Sequence, residues 1–132
     1  MNTPETRVLV VDDDKELRTL LRRALEGEGH RVVDHGTGTG VLGLLEAARF
    51  DAVVLDRELP GVSGLDLLPV LRRRHPDTAV ILITSFGGTR IAAEALRRGA
   101  AEYLEKPFHM DDLLEAVRRS APEKGPPLAE SA

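Results

Sequence analysis

The chain contains no cysteine, which excludes disulfides, thiolate metal sites and a cysteine nucleophile and fits a reducing compartment. No apolar run approaches the roughly 20 residues of a membrane-spanning helix. The opening Met1-Asn2-Thr3-Pro4-Glu5 lacks the apolar region of a signal peptide. A cytoplasmic protein away from membranes is the expectation. Basic charge is not in excess: the net charge is −4, which argues against direct nucleic-acid binding. No GxxxxGK[ST] loop is present, and the four histidines (His30, His35, His75, His109) lack metal-site spacing. They read as surface or turn residues. With 132 residues, the chain has length for one ordinary domain and too little for two.

What is present is an alternation of strand and helix signals. Strands are expected at Arg7–Val11, Arg31–Val33, Ala52–Leu55, Ala79–Ile83 and Glu102–Leu104. The first, third and fourth are continuous apolar runs, the pattern of parallel strands covered on both faces. Between them, Leu17, Leu20, Leu21, Ala24 and Leu25 form one helical stripe that Gly27 and Gly29 end. A glycine-rich start (Gly36, Gly38, Gly40, Gly43) leaves only residues 41–50 as a second helix. Leu65, Leu67, Leu68 and Leu71 line a third, stopped at His75-Pro76, with Pro69 inside at the expected loss of one backbone hydrogen bond. Ile91, Ala92, Ala95 and Leu96 mark a fourth, ended by Gly99. Leu113, Leu114 and Val117 mark a fifth, with Asp111 or Asp112 near its start. Five strand–helix repeats imply a doubly wound α/β fold with a five-stranded parallel sheet and right-handed crossovers. The arginines Arg22, Arg23, Arg72, Arg73, Arg74, Arg97, Arg98, Arg118 and Arg119 fall near helix ends and read as complements to helix C-termini. The sharper reading is a partner-binding face with Arg97, Arg98, Arg118 and Arg119. After Ser120, the proline-containing stretch reads as a flexible tail or truncated linker (121–132).

The chemistry lies where the strands end. The first runs into Asp12-Asp13-Asp14, the third into Asp56, the fourth into Thr84, and Lys106-Pro107 follows the fifth. In an open parallel sheet those ends share one edge, where ligands bind. Carboxylates this close cannot all stay ionised without a cation or protons. A hard divalent ion, magnesium, suits them. One carboxylate can then attack phosphorus, with Lys106 and Thr84 supplying charge and a hydroxyl donor. Asp13 or Asp14 is also a candidate cap for the following helix.

Four stretches together resemble the receiver domain of two-component response regulators, the chemotaxis-regulator fold. They are Val8 to Asp14; Val53 to Gly61 with Gly64; Ile83-Thr84-Ser85; and Gly99 to Phe108. The resemblance covers about residues 7–120, so a receiver domain is expected over 1–120. It implies a flavodoxin-like three-layer sandwich with strand order 2-1-3-4-5, the order the chemotaxis regulator itself exemplifies. It also implies a role for each matching residue. Asp56 is the phosphoacceptor. Asp13 is a direct magnesium ligand, Asp12 acts mainly through water, and Glu58 offers its backbone carbonyl. Thr84 bonds the phosphoryl group with the Ser85 amide nearby, and Lys106 pairs with a phosphoryl oxygen. Thr84 and Tyr103 form the switch: Thr84 moves inward, Tyr103 swings from solvent into the space behind it, and the face of the fourth helix, fifth strand and fifth helix changes shape. The Lys106–Pro107 bond is often cis in such domains.

The domain is then a signalling module rather than a turnover enzyme. It takes phosphate from a histidine kinase, a phosphotransfer protein or a small phosphodonor, and acts on a partner or an attached effector, such as that of a transcription regulator. A homodimer is a further expectation. Glu58, with its side chain near the water path, and the bulky Phe86 imply slow self-dephosphorylation. Two other readings compete. Gly38-Thr39-Gly40-Val41-Leu42-Gly43 matches a dinucleotide-binding GxGxxG, although it follows the second strand and not the first. A haloacid-dehalogenase-type phosphatase would also use an aspartate nucleophile, but it needs a second aspartate where Glu58 stands.

Overall fold

The computed structural model describes residues 6–121; residues 1–5 and 122–132 lie outside them, and Ala121, expected to open the tail, is instead buried in the core with its N–H on the Val117 carbonyl. Strands β1 (Arg7–Val11), β2 (Arg31–His35), β3 (Ala52–Asp56), β4 (Ala79–Thr84) and β5 (Glu102–Glu105) alternate with helices α1 (Lys15–Gly27), α2 (Val41–Ala47), α3 (Gly64–Arg74), α4 (Thr89–Arg97) and α5 (Met110–Ser120). The strands form one parallel sheet in the order 2-1-3-4-5. No described helix is long and apolar enough to cross a membrane.

The continuous apolar runs are explained by two separate cores. Val8, Val10, Ala52, Val54, Ile81 and Ile83 pack on one face with Leu21, Leu25, Leu113, Ala116 and Val117 of α1 and α5. Their neighbours Leu9, Val11, Val53, Leu55, Val80 and Leu82 pack on the other with α2, α3 and α4. Alternate side chains of each strand point to opposite faces, so a strand covered twice must be apolar at every position.

Helix ends follow local chemistry. The Asp14 side chain accepts from the N–H groups of Glu16 and Leu17 at 3.0 and 3.2 Å, which makes it the cap of α1. Asp12 and Asp13 are thereby left for other duties. At the far end Gly29 takes a positive φ and His30 N–H bonds the Leu25 carbonyl, a Schellman stop.

Three expectations need correction. Helix α2 stops at Ala47, short of residue 50, because Ala48 turns extended. That turn buries Phe50 and sets its ring under the Arg7 guanidinium at 5.4 Å. Several strands run further than hydropathy suggests, β2 as far as Asp34-His35, because the ladder continues through polar residues. Arg22 and Arg23 are not in the last turn of α1. Arg22 donates to the Val32 carbonyl at 3.0 Å.

Pro69 does sit inside α3. It cannot donate to the carbonyl four residues back, Leu65. That carbonyl accepts instead from Arg98 Nη1 at 3.0 Å, and the same nitrogen lies 3.2 Å from Asp66 Oδ1. An arginine at the end of α4 therefore replaces the missing bond of α3. One glycine of the run before α2 has a packing reason: a Cβ on Gly38 would lie 2.2 Å from Val62 Cγ1.

Candidate functional site

At the C-terminal edge of the sheet, Asp12 follows β1, while Asp56 and Thr84 are the last residues of β3 and β4. All three are buried. Lys106, one residue past β5, reaches across. Its Nζ lies 2.9 Å from Asp12 Oδ2 and 3.5 Å from Asp56 Oδ1. Asp12 Oδ1 accepts the Asp14 N–H at 2.8 Å, and Asp56 Oδ1 accepts the Glu58 N–H at 3.2 Å. Asp13 stays exposed beside them. The Lys106–Pro107 peptide bond is cis.

Asp12, Asp13 and Asp56 each present a carboxylate oxygen within 4.8 Å of the others. One lysine does not balance them. Burial, then the Asp12 charge, push the Asp56 carboxyl up to about 7, against the opposing pull of Lys106 and the Glu58 amide. Burial alone would lower the Lys106 ammonium, but Asp12 and Asp56 outweigh it and raise it. A pocket with surplus negative charge and hard oxygen donors fits a divalent cation such as magnesium.

Glu58 does something sequence reasoning did not foresee. Its carboxylate turns toward the end of β4, where Oε2 accepts the Thr84 hydroxyl and Oε1 the Ser85 N–H at 2.9 Å. Thr84 Oγ1 in turn accepts the Phe86 N–H at 3.1 Å. Burial raises the Glu58 carboxyl, but Thr84, Ser85 and Arg57 together hold it below its ordinary value. Two arginines were also missed. Arg57 Nη1 bridges Glu58 Oε2 at 3.1 Å and the Phe86 carbonyl at 3.0 Å. Arg18 Nη1 donates to the Asp12 carbonyl at 2.7 Å. The clue to Arg18 was its place one turn beyond the Asp14 cap, level with the strand ends.

Two expected positions look different in space. Phe86 is 71% exposed, so its ring screens the carboxylates little, and any narrowing of the water path falls to Glu58. Tyr103 is half-buried against the α2–α3–α4 core rather than in solvent. Its hydroxyl donates to Glu105 Oε2 at 3.2 Å, and the same oxygen accepts the Gly88 N–H at 2.7 Å. The four arginines of the candidate partner face are engaged within the chain: Arg97 and Arg98 with Glu94, Arg118 with Glu28, and Arg119 with Glu102.

Comparison with known proteins gives the family. The profile of the response regulator receiver domain matches residues 8–118. The transcriptional regulatory protein TcrA of Mycobacterium tuberculosis is 38% identical over 128 residues, 95% of this chain and 51% of that protein. The chain thus spans about half the length of that relative. The Francisella response regulator 1452 receiver domain superposes with a TM-score of 0.84 at 31% identity, covering 89% of this chain and 97% of the other. A Burkholderia pseudomallei response regulator crystallised with a phosphorylated aspartic acid, calcium ion and citrate gives a TM-score of 0.80 at 30% identity, covering 89% and 69%. Neither the dinucleotide-binding nor the phosphatase reading receives support. The GxGxxG glycine Gly38 is pressed against Val62 of the same chain.

Proposed function

We propose that Asp56 is the phosphoacceptor of this chain, which belongs to the response regulator receiver domain family. The observation that carries this assignment is the reach of Lys106 Nζ to both Asp12 and Asp56, beside the buried Thr84 hydroxyl. A carboxylate oxygen of Asp56 attacks phosphorus of a phosphohistidine on a histidine kinase or phosphotransfer protein. An O–P bond forms, the N–P bond breaks, and the leaving imidazole nitrogen takes a proton. The developing negative charge meets Lys106, the Thr84 hydroxyl and the Ser85 N–H. Asp13 and Asp56 would hold magnesium directly, with Asp12 through water and Glu58 through its backbone carbonyl. The ion would neutralise the incoming phosphoryl oxygens. Hydrolysis of the acyl phosphate is slow in this reading because the Glu58 side chain, once turned away from Thr84 and Ser85 by the phosphoryl group, lies where water would approach.

The output is a shape change on the α4–β5–α5 face, with Thr84 and Tyr103 as the moving pair. The partner is a separate protein, a second copy, or an attached effector domain; the transcriptional regulator among its relatives supports the last. The domain itself occupies residues 1–120, works in the cytoplasm and does not contact nucleic acid. Intact mass after treatment with acetyl phosphate and magnesium tests the assignment. Wild type should gain one phosphoryl group and Asp56→Asn none; labelling of the Asp56→Asn protein to the same extent would move the acceptor elsewhere.

A further inference from the structure

We propose that the Glu58 carboxylate is a built-in competitor for the phosphoryl-binding donors of this site, and that Arg57 couples its displacement to the β4–α4 loop. The inference rests on the assignment of Asp56 above. Two donors face the space where a phosphoryl group on Asp56 would sit, the Thr84 hydroxyl and the Ser85 N–H, and each is already bonded to one oxygen of Glu58. The Thr84 hydroxyl has a single proton to give, and its own oxygen is occupied by the Phe86 N–H. Thr84 is fully buried, so water offers it no alternative partner. A phosphoryl oxygen and the Glu58 carboxylate therefore cannot both hold that proton. Both are anions, so sharing the pocket also carries a repulsive term.

Displacement has a defined consequence. The Glu58 carboxylate is tied to Arg57 Nη1, and that nitrogen also holds the Phe86 carbonyl. When Glu58 turns out, Arg57 either follows it and releases Phe86 or stays and leaves Glu58 unpaired. Residues 86–88 lead into α4, and Gly88 N–H is bonded to the Glu105 oxygen that also receives Tyr103. The competitor thus sits at the head of a path that runs through Arg57 to Phe86, along the backbone to Gly88, and through Glu105 to Tyr103. Glu58 is a positioning residue: it sets how tightly the site takes a phosphoryl group and what moves when it does.

The test measures beryllofluoride affinity with magnesium in wild type, Glu58→Gln and Glu58→Ala, alongside the Ser85 amide resonance of the free proteins. Competition for donors predicts about tenfold tighter binding for Glu58→Ala, as for one net hydrogen bond released. Glu58→Gln should gain clearly less, because its amide oxygen still accepts from one donor. The Ser85 resonance should move in Glu58→Ala and stay near its place in Glu58→Gln. Equal gains in both variants would reduce the effect to removal of a charge and overturn the proposal, as would an unmoved Ser85 resonance in Glu58→Ala. A wild type that labels at Asp56 while all three proteins bind beryllofluoride alike overturns this inference alone. A wild type that neither labels nor binds overturns the assigned function with it.

Discussion

Replacing Asp56 by asparagine should make the protein more stable, increasingly so as the buffer becomes alkaline. The carboxyl is buried and titrates near 7 in the fold, against an ordinary value of 3.8. A carboxyl raised in this way contributes its full share of stability below about pH 4, where it is protonated in both folded and unfolded chains. That share is lost as pH rises through 7, because the unfolded chain gives up its proton first and the folded one must later ionise in a buried place. About three pH units at about 1.4 kcal/mol each set a ceiling of about 4 kcal/mol. The amide never ionises, so it escapes this loss. It forfeits some attraction to Lys106, which brings the expected gap to about 2–3 kcal/mol at about pH 8. Urea unfolding of both proteins at several pH values, with a chelator present, measures the gap directly. It should be widest above pH 7, shrink toward pH 4, and narrow at high pH when magnesium is added, since the cation binds and stabilises the wild type. A gap flat with pH, or an asparagine variant less stable at pH 8, would refute the argument that uncompensated charge strains this pocket.

Other predictions follow the same logic. Arg98→Ala should cost about 1 kcal/mol in urea unfolding, since it strips the Leu65 carbonyl of its donor, and should cost clearly less in a Pro69→Ala background where the helix supplies its own N–H. Equal costs in the two backgrounds would break that link. Gly99→Ala should destabilise by more than about 2 kcal/mol, because φ is +114° and a Cβ would lie 2.3 Å from Arg72 Cγ. Gly27→Ala, with nothing within 4 Å of its Cβ, should stabilise by about 0.5–1 kcal/mol; thermal melts of the pair read the contrast. Phe86→Ala should leave the aspartyl-phosphate lifetime nearly unchanged, and a several-fold change in decay would return the exposed ring to the water path.

Much of this site was legible before any coordinates. Asp12, Asp56, Thr84 and Lys106 stand where apolar runs stop, and a parallel sheet brings such stops together. That β1 and β3 lie inside the sheet, covered on both faces, needed no more than their unbroken hydrophobicity. What was not legible depends on directions that hydropathy does not encode. The Glu58 carboxylate reaches Thr84 and Ser85 because of how the chain turns after β3, and nothing in the run Asp56-Arg57-Glu58 specifies that turn. Arg98 finds the carbonyl freed by Pro69 across 33 residues of sequence, a pairing visible only once α3 and α4 are side by side. Asp34 and His35 extend β2 through backbone pairing, so polarity hid them. Phe86 is apolar and bulky, yet its ring is exposed, which its side-chain type alone does not reveal.

The division of the interior by the sheet has a consequence for how this molecule tolerates change. Side chains behind α1 and α5 never meet those behind α2, α3 and α4, since a layer of backbone stands between them. Repacking the α1 side of the first compartment, around Leu21 and Leu25, should alter how well the protein survives heat while leaving its message intact, because α1 lies outside the output face. The second compartment shares walls with Thr84's neighbours and with Tyr103, so alterations there would be heard downstream. Sequence drift is therefore free to run at two tempos within one small body.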